Sequence, residues 1–139
     1  THFLFGLFLG ILYYLSGAPF WTLFIIPMFS LLMDVDEKNS YVGRRVKLIG
    51  WSFSHRGFFH SLWFVILSFL IAYEISIHLA ISVLLGYFGH LLLDGVTKSG
   101  IKPFWPFKLR LKGPLRVGSL EEHIFLFLVI LGIVVLLLP

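Results

Sequence analysis

Five stretches of this 139-residue chain are nearly devoid of polar side chains: roughly Phe3–Leu15, Pro19–Met33, Phe58–Tyr73, Ile77–Leu93 and Ile124–Leu138. Each is shorter than the ~20 residues a helix needs to cross bilayer hydrocarbon. Counting the polar residues at their edges nearly restores the length, so that His55–Tyr73 and Ile77–Thr97 become adequate spans. The polar motifs are therefore predicted to be submerged helix ends rather than loops above the membrane. "SGAP" (16–19) and "EIS" (74–76) are short enough to be tight hairpin connections. The predicted fold is an all-α integral membrane protein of about five short transmembrane helices, forming a single domain over residues 1–139. No internal repeat or low-complexity linker divides it.

Composition agrees with this pattern. Hydrophobic residues make up 58% of the chain and charged residues 13%, against about 25% charged in a soluble domain. There is no cysteine, which excludes disulfides and thiolate ligands. Any metal must be held by nitrogen and oxygen. The opening "THFLFGLFLGILYYLSG" lacks a basic leader and a small-residue cleavage site, and reads as a retained span, not a signal peptide.

The net charge of +4 would suit nucleic acid, but the placement of the charges argues for a membrane. Lys38, Arg44, Arg45, Lys47 and Arg56 lie between the second and third segments, and Lys98, Lys102, Lys108, Arg110, Lys112 and Arg116 between the fourth and fifth. With five helices both groups share one face, which the positive-inside rule makes cytoplasmic. The start of the chain is then inside and its end outside. "SYVGRRVKLIGW" reads as a short interfacial helix, and "PFWPFKLRLKGPLRV" as a small hairpin around Gly113-Pro114. Trp51 and Trp105 are placed at headgroup depth. The basic residues are expected to set orientation and to contact anionic lipid, not nucleic acid.

The same topology gathers the remaining ionisable groups. His2 begins the first helix, Asp34 and Asp36 end the second, His55 and His60 begin the third, His90 and Asp94 end the fourth, and Glu121, Glu122 and His123 begin the fifth. Only Glu74 and His78 mark the other face. Ionisable groups at membrane depth cost about 2.5–3.5 kcal/mol each on insertion scales, so they pair or bind something. A divalent metal would serve them all. His90 and Asp94, spaced i and i+4, share one helix face. His55 and His60 are too far apart for one face of one helix, and are expected to converge if His55 precedes the helix and His60 lies in its first turn, with Gly57 permitting the sharp bend. Imidazole plus carboxylate fits zinc best, with manganese, iron, nickel or magnesium as alternatives. Seven candidate ligands (His2, Asp34, Asp36, His55, His60, His90, Asp94) exceed the needs of one tetrahedral ion, which implies two ions or an outer shell. The plainer alternatives are that Asp34 and Asp36 pair with Lys38 or Arg44, and that His90 and Asp94 stitch two helices together. His78 reads as a satisfied or interfacial histidine, and His123 as headgroup-facing.

As a set, "TH", "MDVDEKNS", "SHRGFFHS", "GYFGHLLLDGVTKSGIKPFWPF" and "LEEH" resemble, in order and spacing, the family of membrane-bound metal-dependent hydrolases, also described as inner-membrane-associated, LexA-binding hydrolases. The resemblance covers nearly the whole chain and implies a helical membrane protein with a divalent metal. The family typically has a proline before its acidic pair, where this chain has Met33. The His and Asp pattern also looks loosely like the helical zinc-dependent phospholipase C enzymes, in ligand type and helical context.

The leading expectation is metal-assisted hydrolysis at the cytoplasmic membrane surface. The ion would acidify a water, with Asp36 or Glu121 taking the proton. Arg56 would clamp a phosphate bidentately, with Lys98 near the same helix end. An embedded site suits an amphiphilic substrate such as a phospholipid or prenyl phosphate. The alternative is a non-catalytic, metal-stapled scaffold that docks a cytoplasmic partner. A third reading, a metal or proton transporter, is disfavoured because the far halves of the segments are almost purely apolar.

Overall fold

The computed structural model describes residues 1–36 and 57–138, without the side chains of Val35 and Asp36. The interfacial helix expected around Arg44 and Trp51, together with His55 and Arg56, lies outside the described residues. The remainder forms five α-helices among the described residues: α1 (His2–Leu15), α2 (Thr22–Leu32), α3 (Leu62–Tyr73), α4 (Ile77–Val96) and α5 (Leu120–Leu137). Two 3-10 turns, Met33–Asp36 and Phe58–His60, flank the gap in the description.

Local chemistry sets the helix starts. The hydroxyls of Ser61, Ser76 and Ser119 accept from the backbone N–H groups of Phe64, Leu79 and Glu122 at the head of α3, α4 and α5. Each serine thus satisfies a donor that the first turn would leave orphaned. At Ser61 this has a consequence for the site. The cap is extended, with φ −116° and ψ 155°, so α3 starts at Leu62 and His60 lies in the 3-10 turn before it. His60 is therefore not in the helix's first turn, as its spacing had suggested.

α4 is the central element. It packs on α1, α2 and α3, and α1 also packs on α2. Glycines allow the closest approaches. A Cβ at Gly86 of α4 would stand 2.7 Å from the Ile26 carbonyl oxygen of α2, and one at Gly6 of α1 would stand 2.9 Å from the Pro27 Cα. Small residues of this kind let apolar helices meet backbone to backbone. α5 is peripheral. It rests mainly against α1 and buries only Val129. Among the described residues α4 and α5 are long and apolar enough to cross a membrane, while α1, α2 and α3 are shorter apolar helices.

The basic stretch after α4 folds back on itself, but not about Gly113-Pro114. Ile101 and Leu111 exchange both backbone hydrogen bonds at 2.9 Å, and Lys98 N–H donates to the Leu115 carbonyl at 2.7 Å. The reversal therefore lies between Ile101 and Leu111. Gly113 instead sits against the last turn of α4, where a Cβ would collide with the Val96 carbonyl, and its N–H donates to the Thr97 carbonyl at 3.0 Å. The Pro103 carbonyl accepts from Leu62 N–H at 2.8 Å. That bond ties this loop to the head of α3, two residues from His60.

Candidate metal centre

Four elements deliver ionisable groups to one place. α1 brings His2 from its first residue. The turn after α2 brings Asp34, the turn before α3 brings His60, and the last two turns of α4 bring His90 and Asp94. His60 and His90 are fully buried and Asp94 is nearly so.

The groups face one another. His2 Nε2 lies 3.4 Å from Asp94 Oδ1, and His90 Nε2 lies 3.5 Å from Asp34 Oδ1 and 3.8 Å from Asp94 Oδ2. His60 Nε2 lies 3.8 Å from both Asp34 Oδ1 and Asp94 Oδ2. These separations exceed an ordinary N–H···O hydrogen bond of about 2.7–3.2 Å. They match two ligands of a common ion, since atoms about 2.1 Å from a tetrahedral centre stand roughly 3.4 Å apart. Two overlapping triads, His2/Asp34/His90 and His60/His90/Asp94, each bring three ligand atoms within 4.8 Å of one another.

The orientation of His90 is fixed from behind. Its Nδ1 donates to the Ser30 carbonyl of α2 at 2.6 Å. That contact selects the tautomer whose Nε2 lone pair points into the cluster, which is how metal-binding histidines are held. The Ser30 hydroxyl donates to the His2 carbonyl at 2.9 Å, so one residue of α2 braces ligands on α1 and α4. The His2 and His90 rings stack with centroids 4.0 Å apart. The Nε2 atoms of both rings are buried and have no hydrogen-bond partner among the described residues. An imidazole lone pair at such a position is costly unless an ion or proton meets it. Burial pushes the Asp34 carboxyl up. The facing imidazoles of His60, His90 and His2 more than offset this, holding it below the ordinary carboxylate range. The donor set of three imidazoles and two carboxylates thus fits a divalent ion.

Of the seven ligands expected from sequence, His2, Asp34, His60, His90 and Asp94 are brought together. Asp36 ends the 3-10 turn, with its side chain outside the description. His55 lies outside the described residues, as does Arg56. Glu121 is exposed on the first turn of α5. Its neighbour Glu122 faces inward instead. One Glu122 oxygen accepts from the Thr1 hydroxyl and the other from Gly118 N–H, both at 2.7 Å. Glu122 thereby fastens α5 to the start of α1, beside His2. His123 Nδ1 bonds to the Ser119 carbonyl at 2.7 Å. At the far end of the bundle, Tyr13 Oη and His78 Nδ1 are 2.9 Å apart, so His78 is a hydrogen-bonded histidine linking α1 and α4.

Sequence reasoning passed over Ser30 and Glu122. A signal existed for Ser30, which interrupts "IIPMFSLLM" one helical turn before Asp34. Glu122 carried one too, since Ser119-Leu-Glu-Glu122 has capping-box spacing.

A family model described as YdjM inner membrane protein matches residues 1–138. The uncharacterized protein YvsG of Bacillus subtilis (strain 168) is 32% identical over 105 residues, covering 70% of this chain and 66% of that protein. The inner membrane protein YdjM of Escherichia coli (strain K12) is 31% identical over 99 residues, covering 63% of this chain and 50% of that protein. The chain thus spans about half to two thirds of the length of these relatives. No solved structure matches it.

Proposed function

The chain belongs to the YdjM inner membrane protein family, and from that premise we propose that it is a membrane-embedded, metal-dependent hydrolase acting on a phosphoester of a lipid or other amphiphile. The observation that carries this reading is the convergence of His2, Asp34, His60, His90 and Asp94, with the Nε2 atoms of His2 and His90 buried and lacking hydrogen-bond partners among the described residues. A divalent ion bound there would supply Lewis acidity, both to acidify a water and to offset charge on a phosphoryl oxygen. The protein's own part is positional. Ser30 fixes the His90 tautomer and braces α1, and Glu122 anchors the segment that carries His2. Asp36 remains the proposed proton acceptor and Arg56 the proposed phosphate clamp. For Glu121 that role is less suited, because its side chain is exposed.

All five helices are proposed to lie in the membrane, with the centre at the cytoplasmic ends and the basic segments setting the orientation. The centre is taken as a reaction site rather than a step in a conduction path. Buried hydroxyls deeper in the bundle are turned onto nearby backbone, Thr22 to the Pro19 carbonyl and Ser82 to the His78 carbonyl, each at 2.7 Å. They offer no relay toward the Tyr13–His78 pair. The second reading, a metal-stapled scaffold docking a cytoplasmic partner, is favoured by the exposed basic loop of Lys102, Lys108, Arg110 and Lys112.

Phosphate release from phosphatidate and a prenyl phosphate, with zinc- or manganese-loaded protein in mild detergent, separates the two. The hydrolase reading expects turnover that Asp34→Asn removes. Full metal occupancy without turnover on any phosphoester would leave the scaffold.

A further inference from the structure

A cavity of about 150 Å³ opens beside the cluster, with His2 and Asp94 in its lining. Its polar wall is Thr1, His2, Asp94, Thr97, Arg116 and Glu122. Most of these groups are already committed. Glu122 uses both oxygens on Thr1 and Gly118. The Thr97 hydroxyl donates to the Asp94 carbonyl and accepts from Gly100 N–H. Arg116, an exposed side chain, is the one arginine or lysine in the lining, and the α-amino group of Thr1 is a further basic group there. The Arg116 guanidinium has no hydrogen bond or ion pair among the described residues, although its charge reaches Glu121.

Size and lining restrict what could enter. At roughly 30 Å³ per water, the cavity holds about five water volumes, well under the ~300 Å³ floor of pockets for drug-sized ligands. A headgroup fits but an acyl or prenyl chain does not. The remaining wall is apolar: Leu93, Leu115, Val117 and Phe125, of which Val117 is largely exposed. A ligand with a small anionic head and an apolar tail would match both halves, its tail leaving past Val117.

We infer that this cavity is the phosphoryl subsite of the centre, and that Arg116 is its anion-binding residue. The inference deepens the hydrolase reading and rests on it. The guanidinium fork matches two oxygens of a phosphate, and the buried His2 Nε2 and Asp94 in the same lining would set that phosphate beside the proposed metal ligands. The shared chemistry is a phosphate group, borne either by a lipid or by a free ion.

The test uses full-length protein in detergent, titrated first with Mn²⁺ and then with inorganic phosphate or dioctanoyl phosphatidate, with ³¹P relaxation reporting proximity to bound Mn²⁺. The expected result is Mn²⁺ uptake and enhanced ³¹P relaxation. Arg116→Gln should weaken phosphate binding about tenfold or more with Mn²⁺ affinity unchanged, and Arg116→Lys should recover part of it. Enhancement with both probes assigns the subsite to lipid headgroups, and enhancement with inorganic phosphate alone assigns it to a soluble ligand. Mn²⁺ uptake with no ³¹P enhancement, or with enhancement indifferent to Arg116→Gln, overturns the subsite and leaves the metal centre standing. Displacement of phosphate by equimolar acetate also overturns it. Failure to take up Mn²⁺ removes the centre itself, and the subsite with it.

Discussion

Ser30 illustrates how much of the centre is fixed by groups that are not ligands. Its carbonyl holds His90 and its hydroxyl holds the backbone of His2. Only the second contact depends on the side chain, so the two can be separated by mutation. Ser30→Ala should keep the His90 tautomer and loosen α1, lowering metal affinity by up to about tenfold, the lower end for outer partners of metal ligands. His90→Ala should abolish binding at both triads, because His90 belongs to each. Isothermal titration with zinc distinguishes these outcomes. The centre should also release its ion on acidification, because imidazole must be neutral to ligate. Asp34 is already held below the ordinary carboxylate range by its imidazole neighbours. The imidazoles therefore set the loss, and occupancy followed by equilibrium dialysis should fall progressively as the solution is acidified. The five clustered residues were legible in the sequence, since His and Asp in otherwise apolar runs demand a reason. Ser30 was not, because a lone serine in a helix ordinarily bonds its own backbone, as Ser82 does here.

At the level of elements, the site depends on how closely α2 and α4 approach. Gly86 lies one turn before His90, against the Ile26 carbonyl and Phe29 Cβ, both 2.7 Å from where a Cβ would stand. Gly86→Ala must push the helices apart, an overpacking that costs about 1–3 kcal/mol. It should lower the thermal midpoint in detergent and weaken zinc binding together, because the same gap sets the Ser30–His90 contact. Gly132→Ala on α5 meets only the flexible Phe8 ring at 3.1 Å, and should leave zinc binding unchanged. The helices themselves were readable as apolar runs, and their serine caps fell where polar residues break those runs. The loop after α4 was misread because Gly113-Pro114 has turn chemistry. The glycine is there for close packing on Val96 instead, a tertiary contact that no local pattern announces. His60 was expected in the first turn of α3 but lies just before it, since Ser61 caps the helix.

For the molecule as a whole, all eleven basic side chains fall in two segments with α3 and α4 between them, which the proposed five-span topology puts on one face. The chain has no cysteine, so single cysteines report topology cleanly. In intact cells, Glu74→Cys between α3 and α4 should react with a membrane-impermeant maleimide, and Lys102→Cys only after permeabilisation. The reverse pattern would invert the proposed orientation. Every further proposal here depends on the buried His and Asp cluster being a metal centre. The most direct test is elemental analysis of protein purified in mild detergent without chelator, beside His90→Ala/Asp94→Ala. The account predicts about one or two equivalents of a transition metal in the wild type, lost in the double variant. A wild type that is metal-free and fails to take up added zinc, manganese or magnesium would contradict it, and the cluster would then be a packed polar network joining α1, α2 and α4.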